Sequence, residues 1–311
     1  KTSHPVLAAL LRIRETKKLA TTIEGLLAEI QKDKRIHTHF AQTVAATGRL
    51  SSVGPNLQNI PVRTEEGRKI RDCFIAGSGY DALLTADYSQ IEMRIMAHLS
   101  NDEHLLKALE SGEDLHATVA AEVFGVKPTE VDPEMRRQIK AMSYGLAYGL
   151  SSYGLAVQLD LTPPDAQNLM DKYFERFGGI RDYLRTVVED ARKVGYTETV
   201  MGRRRYLPDL LHDNRQRREV AERMALNAPI QGSAADIIKQ AMLNVQSALI
   251  AGKFTSRLLL QVHDELILEV VKNEIDEVSE LVRVQMGSAY PLKAPLDVSV
   301  GIGKSWNEAA H

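Results

Sequence analysis

Two acidic stretches, far apart in the chain, carry the residues best suited to phosphate chemistry. In TADYSQIEMR, Asp87 follows a short apolar run, DALLTA, and precedes QIEMRIMAHL, whose apolar residues recur at helical spacing. Asp87 therefore falls at a strand end and near a helix start, where one ordinary role is to cap the first free amides of the helix. In RLLLQVHDELILEV, two apolar runs flank His263 and Asp264 and predict a hairpin with Asp264 and Glu265 at its tip. Two acidic edges meeting on one sheet would suit hard divalent cations, which take carboxylate oxygens and keep waters that a phosphate-bearing substrate can replace.

Two helical stripes add polar and aromatic groups. Arg136, Lys140, Tyr144 and Tyr148 recur every four residues, so each lies about 40° around the axis from the last and together they form one drifting face. Gly145 and Gly149 sit among them. Glycine inside a helix costs about 1 kcal/mol, which predicts close packing there, and a flat base over Tyr144 with its phosphates on Arg136 and Lys140 would account for it. A second stripe, Arg223, Asn227 and Gln231, carries hydrogen-bonding groups suited to base edges and sugars. Arg203, Arg204, Arg205, Arg215, Arg217 and Arg218 supply local positive charge for phosphates or for a solvated loop. The segment GRLSSVGPNLQNIP is loop-like and dense in Arg49, Asn56, Gln58 and Asn59.

The elements that must position these groups follow from periodicity and turn residues. Residues 5–30 read as one or two helices with no cap at their start, and 35–71 as extended, loop-rich chain punctuated by Gly48, Gly54, Pro55, Pro61 and Gly67. DEHLLKALESG, PEMRRQIKAMSYGLAYGLSS and PPDAQNLMDKYFERF are helical, the last bounded by Gly178 and Gly179, with another helix over 181–194. GYTETVMGRRRYLPDL is a hairpin, and 215–251 is helical but kinked or divided at Pro229 and Gly232. VKNEIDEVSELVRVQM is a helix and APLDVSVGIGKSW a closing strand. The class is α+β: a small, mostly antiparallel sheet with acidic edges and a large helical insertion between them.

Composition bounds the rest. The 311 residues are 44% hydrophobic and 26% charged, enough for a sizeable core in one large domain or a few subdomains. No apolar run approaches the roughly 20 residues of a membrane helix, and the basic, polar start lacks a signal-peptide pattern. Cys73 is the single cysteine, which excludes an internal disulfide or a thiolate metal cage. A formal charge of −2 removes the whole-chain signature of a nucleic-acid binder, so any such binding needs a local basic surface.

DYSQIE at 87–92, RRQIKAMSYGLAYG at 136–149 and QVHDE at 261–265 resemble, in that order, motifs A, B and C of the family A DNA polymerases. GRLSSVGPNLQNIPVR at 48–63 and NAPIQGSAADIIK at 227–239 are similarly typical, and the resemblance covers nearly the whole chain, nearest to bacterial members. It implies a right-hand polymerase fold: a thumb remnant over 1–30, palm over 31–96 and 229–311, and fingers over 97–228, with the usual exonuclease-type domains and most of the thumb lying beyond the N-terminal side. By resemblance, Asp87, Asp264 and the Tyr88 backbone carbonyl hold two Mg2+ ions, with Mn2+ able to substitute, and Glu265 is an outer-shell acid. Gln90, Glu92, His116, Arg136, Lys140, Tyr144 and Tyr148 surround the deoxynucleoside triphosphate, Lys140 giving a proton to pyrophosphate.

Arg49, Asn56, Gln58, Asn59, Arg63, Arg223, Asn227, Gln231 and His263 touch primer-template DNA in the same reading, Arg63 doubling as a triphosphate contact. The expected protein is a monomeric, cytoplasmic, nucleoid-associated enzyme with no membrane partner. Two positions depart from the common pattern: Ser143 stands where many members have Asn, and Tyr144 where many have Phe. Three other readings share parts of the pattern: a single-subunit RNA polymerase, which Glu92 opposes, a catalytically silent DNA-binding scaffold, and a metal-dependent nuclease.

Overall fold

The computed structural model describes residues 4–62, 64–112 and 114–310. In chain order the elements are α1 (Pro5–Ala28), β1 (His39–Ala41), β2 (Ser51–Val53), α2 (Glu65–Asp72), β3 (Ala82–Tyr88), α3 (Ile91–Ser100), α4 (Glu103–Glu110) and α5 (Leu115–Phe124). There follow α6 (Pro133–Ala147), α7 (Ser152–Leu159), α8 (Pro163–Arg176), α9 (Gly178–Val194), β4 (Tyr196–Glu198), β5 (Arg204–Tyr206) and α10 (Arg215–Ala251). The chain closes with β6 (Arg257–Val262), β7 (Glu265–Val270), α11 (Ile275–Gly287), β8 (Val298–Gly303) and α12 (Trp306–Ala309). The class is the mixed α and β one read from the pattern.

Two compact units form. The first takes Lys1–Asp87, Ala241–Met286 and Val298–His311, the second Tyr88–Gln240 and Gly287–Asp297. The first holds the four-stranded sheet, in the order β6-β7-β3-β8. β7 is central and antiparallel to both β6 and β3. Its strands are apolar on both faces, with Leu83, Leu84, Leu266, Ile267 and Leu268 buried. Leu57, Ile60, Ile70, Val262 and Trp306 join Leu83 and Ile267 in one core cluster. The Thr85 hydroxyl donates to the Ala309 carbonyl, so the closing helix α12 is fastened to the strand that carries Asp87. The second unit is helical, with the β4–β5 pair as its hairpin. There Asp236 on α10, almost fully buried, accepts from Thr199 Oγ1 and Arg203 Nε, each at 2.8 Å.

Several expectations need correction. α1 is one helix and it is capped: His4 Nδ1 accepts from the Val6 amide at 3.2 Å. The stretch 35–71, read as extended, contains α2, whose Thr64 cap and acidic first turn, Glu65 and Glu66, are ordinary helix-start signals hidden by the surrounding glycines and prolines. Gly178 and Gly179 open α9, where they were expected to lie ahead of a helix. α10 runs undivided through Pro229. An internal proline costs about 3 kcal/mol, and here Ala225, Ala228, Ile230, Ala234, Ala235, Ile237 and Ile238 are buried on both sides of it, so packing along the whole helix outweighs one lost amide donor. Among the described residues no helix is long and apolar enough to cross a membrane.

Candidate active site

The antiparallel register of β3 and β7 sets Asp87 directly opposite Glu265. Val262 pairs with Glu265 across the β6–β7 hairpin, so the turn has two residues, His263 and Asp264. The tip is therefore His263–Asp264, with Glu265 the first residue of the strand, one position earlier than expected. His263 takes φ +55°, a left-handed conformation that costs a non-glycine residue on the order of 1 kcal/mol and is kept where the surroundings demand it. Asp87 does not cap α3; that position is Gln90, at φ 56° and without a side-chain cap bond. The capping alternative for Asp87 falls.

Charge at this sheet end is held unfavourably. Burial, then the charge of Asp87, pushes the Glu265 carboxyl up to about 7, against the opposing pull of Arg71 and the Trp306 indole. Burial also raises the Asp264 carboxyl, offset by Arg49, whose Nη2 lies 4.0 Å from Asp264 Oδ1. Carboxylates destabilised in this way gain most from a cation. Among the described residues no group of three or more His, Cys, Asp or Glu could cage a metal alone. The donor set fits an ion bound by one or two carboxylates, which completes its shell from water and substrate phosphate, as Mg2+ does.

The loop residues singled out for DNA are partly engaged within the protein. Gln58 accepts from the Ser52 amide at 3.1 Å and donates to the Gln261 carbonyl and side chain at 3.3 and 3.2 Å. Gln261 in turn donates to the His263 carbonyl, so this chain of amides braces the acidic turn. Asn56 accepts from the Gln58 amide at 3.0 Å, a local loop brace, while Asn59 is exposed. Arg63 lies outside the described residues. Arg71 stacks 4.1 Å above the Trp306 ring and is buried beneath the acidic edge. Neither Arg71 nor Trp306 carried a local signal, because each is the other's partner from a distant segment.

The second unit gathers the other predicted groups. Arg136, Lys140 and Tyr144 lie on α6, but the helix ends at Ala147 and Tyr148 is its C-cap. His116 is buried beside the stripe, its ring centroid 5.8 Å from that of Tyr144. Arg136 pairs with Asp114 at 2.8 Å. The Tyr148 hydroxyl spans both oxygens of the buried Glu92, at 3.0 and 2.9 Å. A cavity of about 520 Å³ is lined by Tyr144, Tyr148, Leu150, Gln158 and Arg223 among others. Tyr88 is buried, and Asn227 Oδ1 is buried without a hydrogen-bond partner. Gln231, one turn further along α10, is partly buried.

The glycines have a different cause from the one expected. A Cβ on Gly145 would come within 2.6 Å of Leu150 Cδ2. Gly149 has φ +69°, and its Cβ would lie 2.9 Å from Arg223 Cγ. The protein's own side chains demand both glycines, with no stacked base required. The arginine-rich segment is also largely neutralised: Arg203 pairs with Asp236, Arg204 with Glu198, Arg215 with Glu219 and Arg217 with Asp209. Arg218 donates to the His212 and Asp213 carbonyls.

Burial, reinforced by Lys140 and Arg136, pushes the His116 imidazole down to about 4, against the pull of Asp114. The folded protein therefore holds His116 neutral, while the unfolded chain protonates it near its ordinary value of about 6.5. That contribution to stability is complete above about pH 6.5 and is lost as pH falls toward 4, amounting to roughly 3 kcal/mol. Urea unfolding of the wild type and His116→Gln from pH 7 to pH 4.5 should give a steeper acid decline in the wild type. Parallel curves would show that His116 titrates normally.

The chain is similar to known proteins in sequence and in structure. The model of DNA polymerase family A matches residues 1–308. DNA polymerase I of Mycobacterium bovis is 63% identical over 311 residues, which is all of this chain and 34% of that protein. The Lactococcus lactis subsp. lactis DNA polymerase I is 49% identical over 98% of this chain and 35% of its own. The solved POL domain of Pol1 from M. smegmatis, in complex with DNA primer-template and dNTP, superposes with a TM-score of 0.97 at 62% identity, covering all of this chain and 55% of that one. The chain thus spans about a third of the length of its curated relatives. With its motifs in order along the whole matched length, the chain belongs to DNA polymerase family A.

Proposed function

We propose that the chain performs template-directed DNA synthesis, in replication and repair, joining a primer 3′-hydroxyl to the α-phosphorus of a deoxynucleoside triphosphate with release of pyrophosphate. The carrying observation is the sheet end at which Asp87 faces Glu265 beside the Asp264 turn. Family membership and the M. smegmatis relative's bound primer-template and dNTP support the same reading. In this reading 31–96 and 229–311 are palm, 97–228 fingers and 1–30 thumb remnant, and the protein acts as a cytoplasmic, nucleoid-associated monomer.

Asp87, Asp264 and the Tyr88 carbonyl would hold two Mg2+ ions, or Mn2+, which when bound lower the pKa of the hydroxyl and stabilise charge on the attacking and leaving oxygens. Glu265, with its raised affinity for a proton, stands beside those ligands as an outer acid. Arg136 and Lys140 bind the triphosphate, and Lys140 donates the proton that the departing pyrophosphate takes up. His116, held neutral, offers an N–H to phosphate in place of a charge. Gln90 and Tyr144 line the sugar, while Arg49, Asn59, Arg63, Arg223, Asn227, Gln231 and His263 contact primer or template. Asn56 and Gln58 serve DNA mainly by bracing their loop.

Glu92 decides between deoxyribose and ribose. Its carboxylate is fixed by the Tyr148 hydroxyl on both oxygens, so it occupies a set position and excludes a 2′-hydroxyl by sterics. Single-nucleotide extension of a primed template with deoxy- and ribonucleotides should proceed with the former alone, separating this reading from an RNA polymerase, a nuclease and a silent DNA binder. Glu92→Ala should reduce the deoxy-to-ribo ratio of kcat/KM by at least about tenfold, and Tyr148→Phe, which frees the carboxylate, by less. Unchanged selectivity in Glu92→Ala would remove it from this role.

Tyr144 carries a phenol where many relatives carry phenyl. Beside the sugar of the incoming nucleotide, its hydroxyl can donate a hydrogen bond toward the phosphates or fill the gap left by a missing 3′-hydroxyl. Dideoxynucleotides should therefore be used almost as readily as deoxynucleotides. Tyr144→Phe should lose roughly 2 to 4 kcal/mol on the dideoxy substrate, a selectivity change of about thirtyfold to a thousandfold in kcat/KM. Strong discrimination already present in the wild type, or none gained by the variant, would exclude the hydroxyl as the cause.

A further inference from the structure

Arg136 reaches α5 through one carboxylate. Its Nε donates to Asp114 Oδ2 at 2.8 Å, and its Nη2 lies 2.8 Å from the same oxygen. The other oxygen, Oδ1, caps α5 by accepting from the amides of His116 at 3.0 Å and Ala117 at 3.1 Å. A single side chain thus ties the guanidinium of Arg136 to the start of the helix that presents His116.

The chemistry of the pair suits a substrate that has yet to arrive. A guanidinium carries five N–H donors in a fixed fork. Side-on pairing through Nε and Nη2 uses one edge and leaves the Nη1 edge for a phosphate. Both partners are about half-exposed, so the pair adds little to folding stability. Its consequence is orientation: a long side chain held in one rotamer loses less freedom when it binds. A bare carboxylate near a triphosphate would repel it, whereas this one is neutralised by the arginine it holds.

We infer that Asp114 is a positioning residue for the incoming triphosphate, holding Arg136 in a phosphate-facing rotamer while fixing the start of the His116 helix; this rests on the polymerase reading above. The two consequences of the carboxylate, preorganisation and repulsion, have opposite signs, so affinity for the nucleotide separates them. Preorganisation dominates because removing the charge frees the whole arginine side chain.

Asp114→Asn keeps an oxygen for the α5 amides and removes the charge. In single-turnover extension by the full-length protein, its apparent Kd for the correct deoxynucleoside triphosphate should rise about tenfold. The maximal rate should stay within about threefold, and primer-template affinity should be unchanged. Asp114→Ser, which caps without an amide, should repeat the effect. The double variant Asp114→Asn/Arg136→Ala should be no worse than Arg136→Ala, since the carboxylate acts through the guanidinium. An unchanged or lowered apparent Kd, an effect confined to one of the two Asp114 variants, or losses that multiply in the double variant would overturn the inference and leave the polymerase reading standing. A wild type that extends no primer would overturn both.

Discussion

The register of β3 against β7 sets Asp87 across from Glu265 with Asp264 on the adjoining turn, and carboxyl groups held so close in a half-dry site resist ionising together. Burial and mutual repulsion push the Glu265 carboxyl up to about 7, and burial raises Asp264 as well. The strands cannot relieve this by slipping, because β3 and β7 are buried on both faces apart from Asp87 and Glu265, and a shift of one residue would exchange the side chains packed against the two faces. The strain is therefore a fixed property of the fold, and a cation bound there would relieve it. Other groups of the first unit surround the same acidic end: Arg71 over Trp306, Arg49 toward Asp264, and the Gln58–Gln261 amides behind a turn whose histidine sits in the left-handed region.

The second unit keeps several long polar side chains in single positions. It does so by pairing each with a fixed partner. Glu92 is gripped by Tyr148, Arg136 by Asp114, and Arg203 by the buried Asp236. Glycines appear where neighbouring side chains come closest, at Gly145 against Leu150 and Gly149 against Arg223. In the proposed reading, specificity for the sugar and grip on the phosphates come from groups whose rotamers are set inside the protein.

Legibility in the sequence followed the range of the interaction. Strand β3, the β6–β7 hairpin and the α6 stripe were readable because alternation, apolar runs and four-residue spacing are local. The family motifs then supplied roles where periodicity alone leaves alternatives open, such as a helix cap for Asp87. What was not readable depends on distant partners. Asp114 is an ordinary helix cap until Arg136, 22 positions away, folds onto it. The unbroken α10 reflects buried alanines and isoleucines around Pro229, and the arginine-rich hairpin looked available for phosphates until its carboxylate partners came into view. α2 was missed although its Thr64 cap was local, because glycines and prolines on either side dominated the reading.

The central claim is that Asp87 and Asp264 are there for metal ions that act on a bound primer and nucleotide. Single-turnover primer extension by Asp87→Ala and Asp264→Ala, measured alongside primer-template affinity, tests it most directly. The account predicts that each variant loses at least about a thousandfold in extension rate while binding DNA within a few-fold of the wild type, because phosphate and base contacts come from other residues. Near-wild-type extension by either variant, or a loss explained wholly by weakened DNA binding, would contradict it.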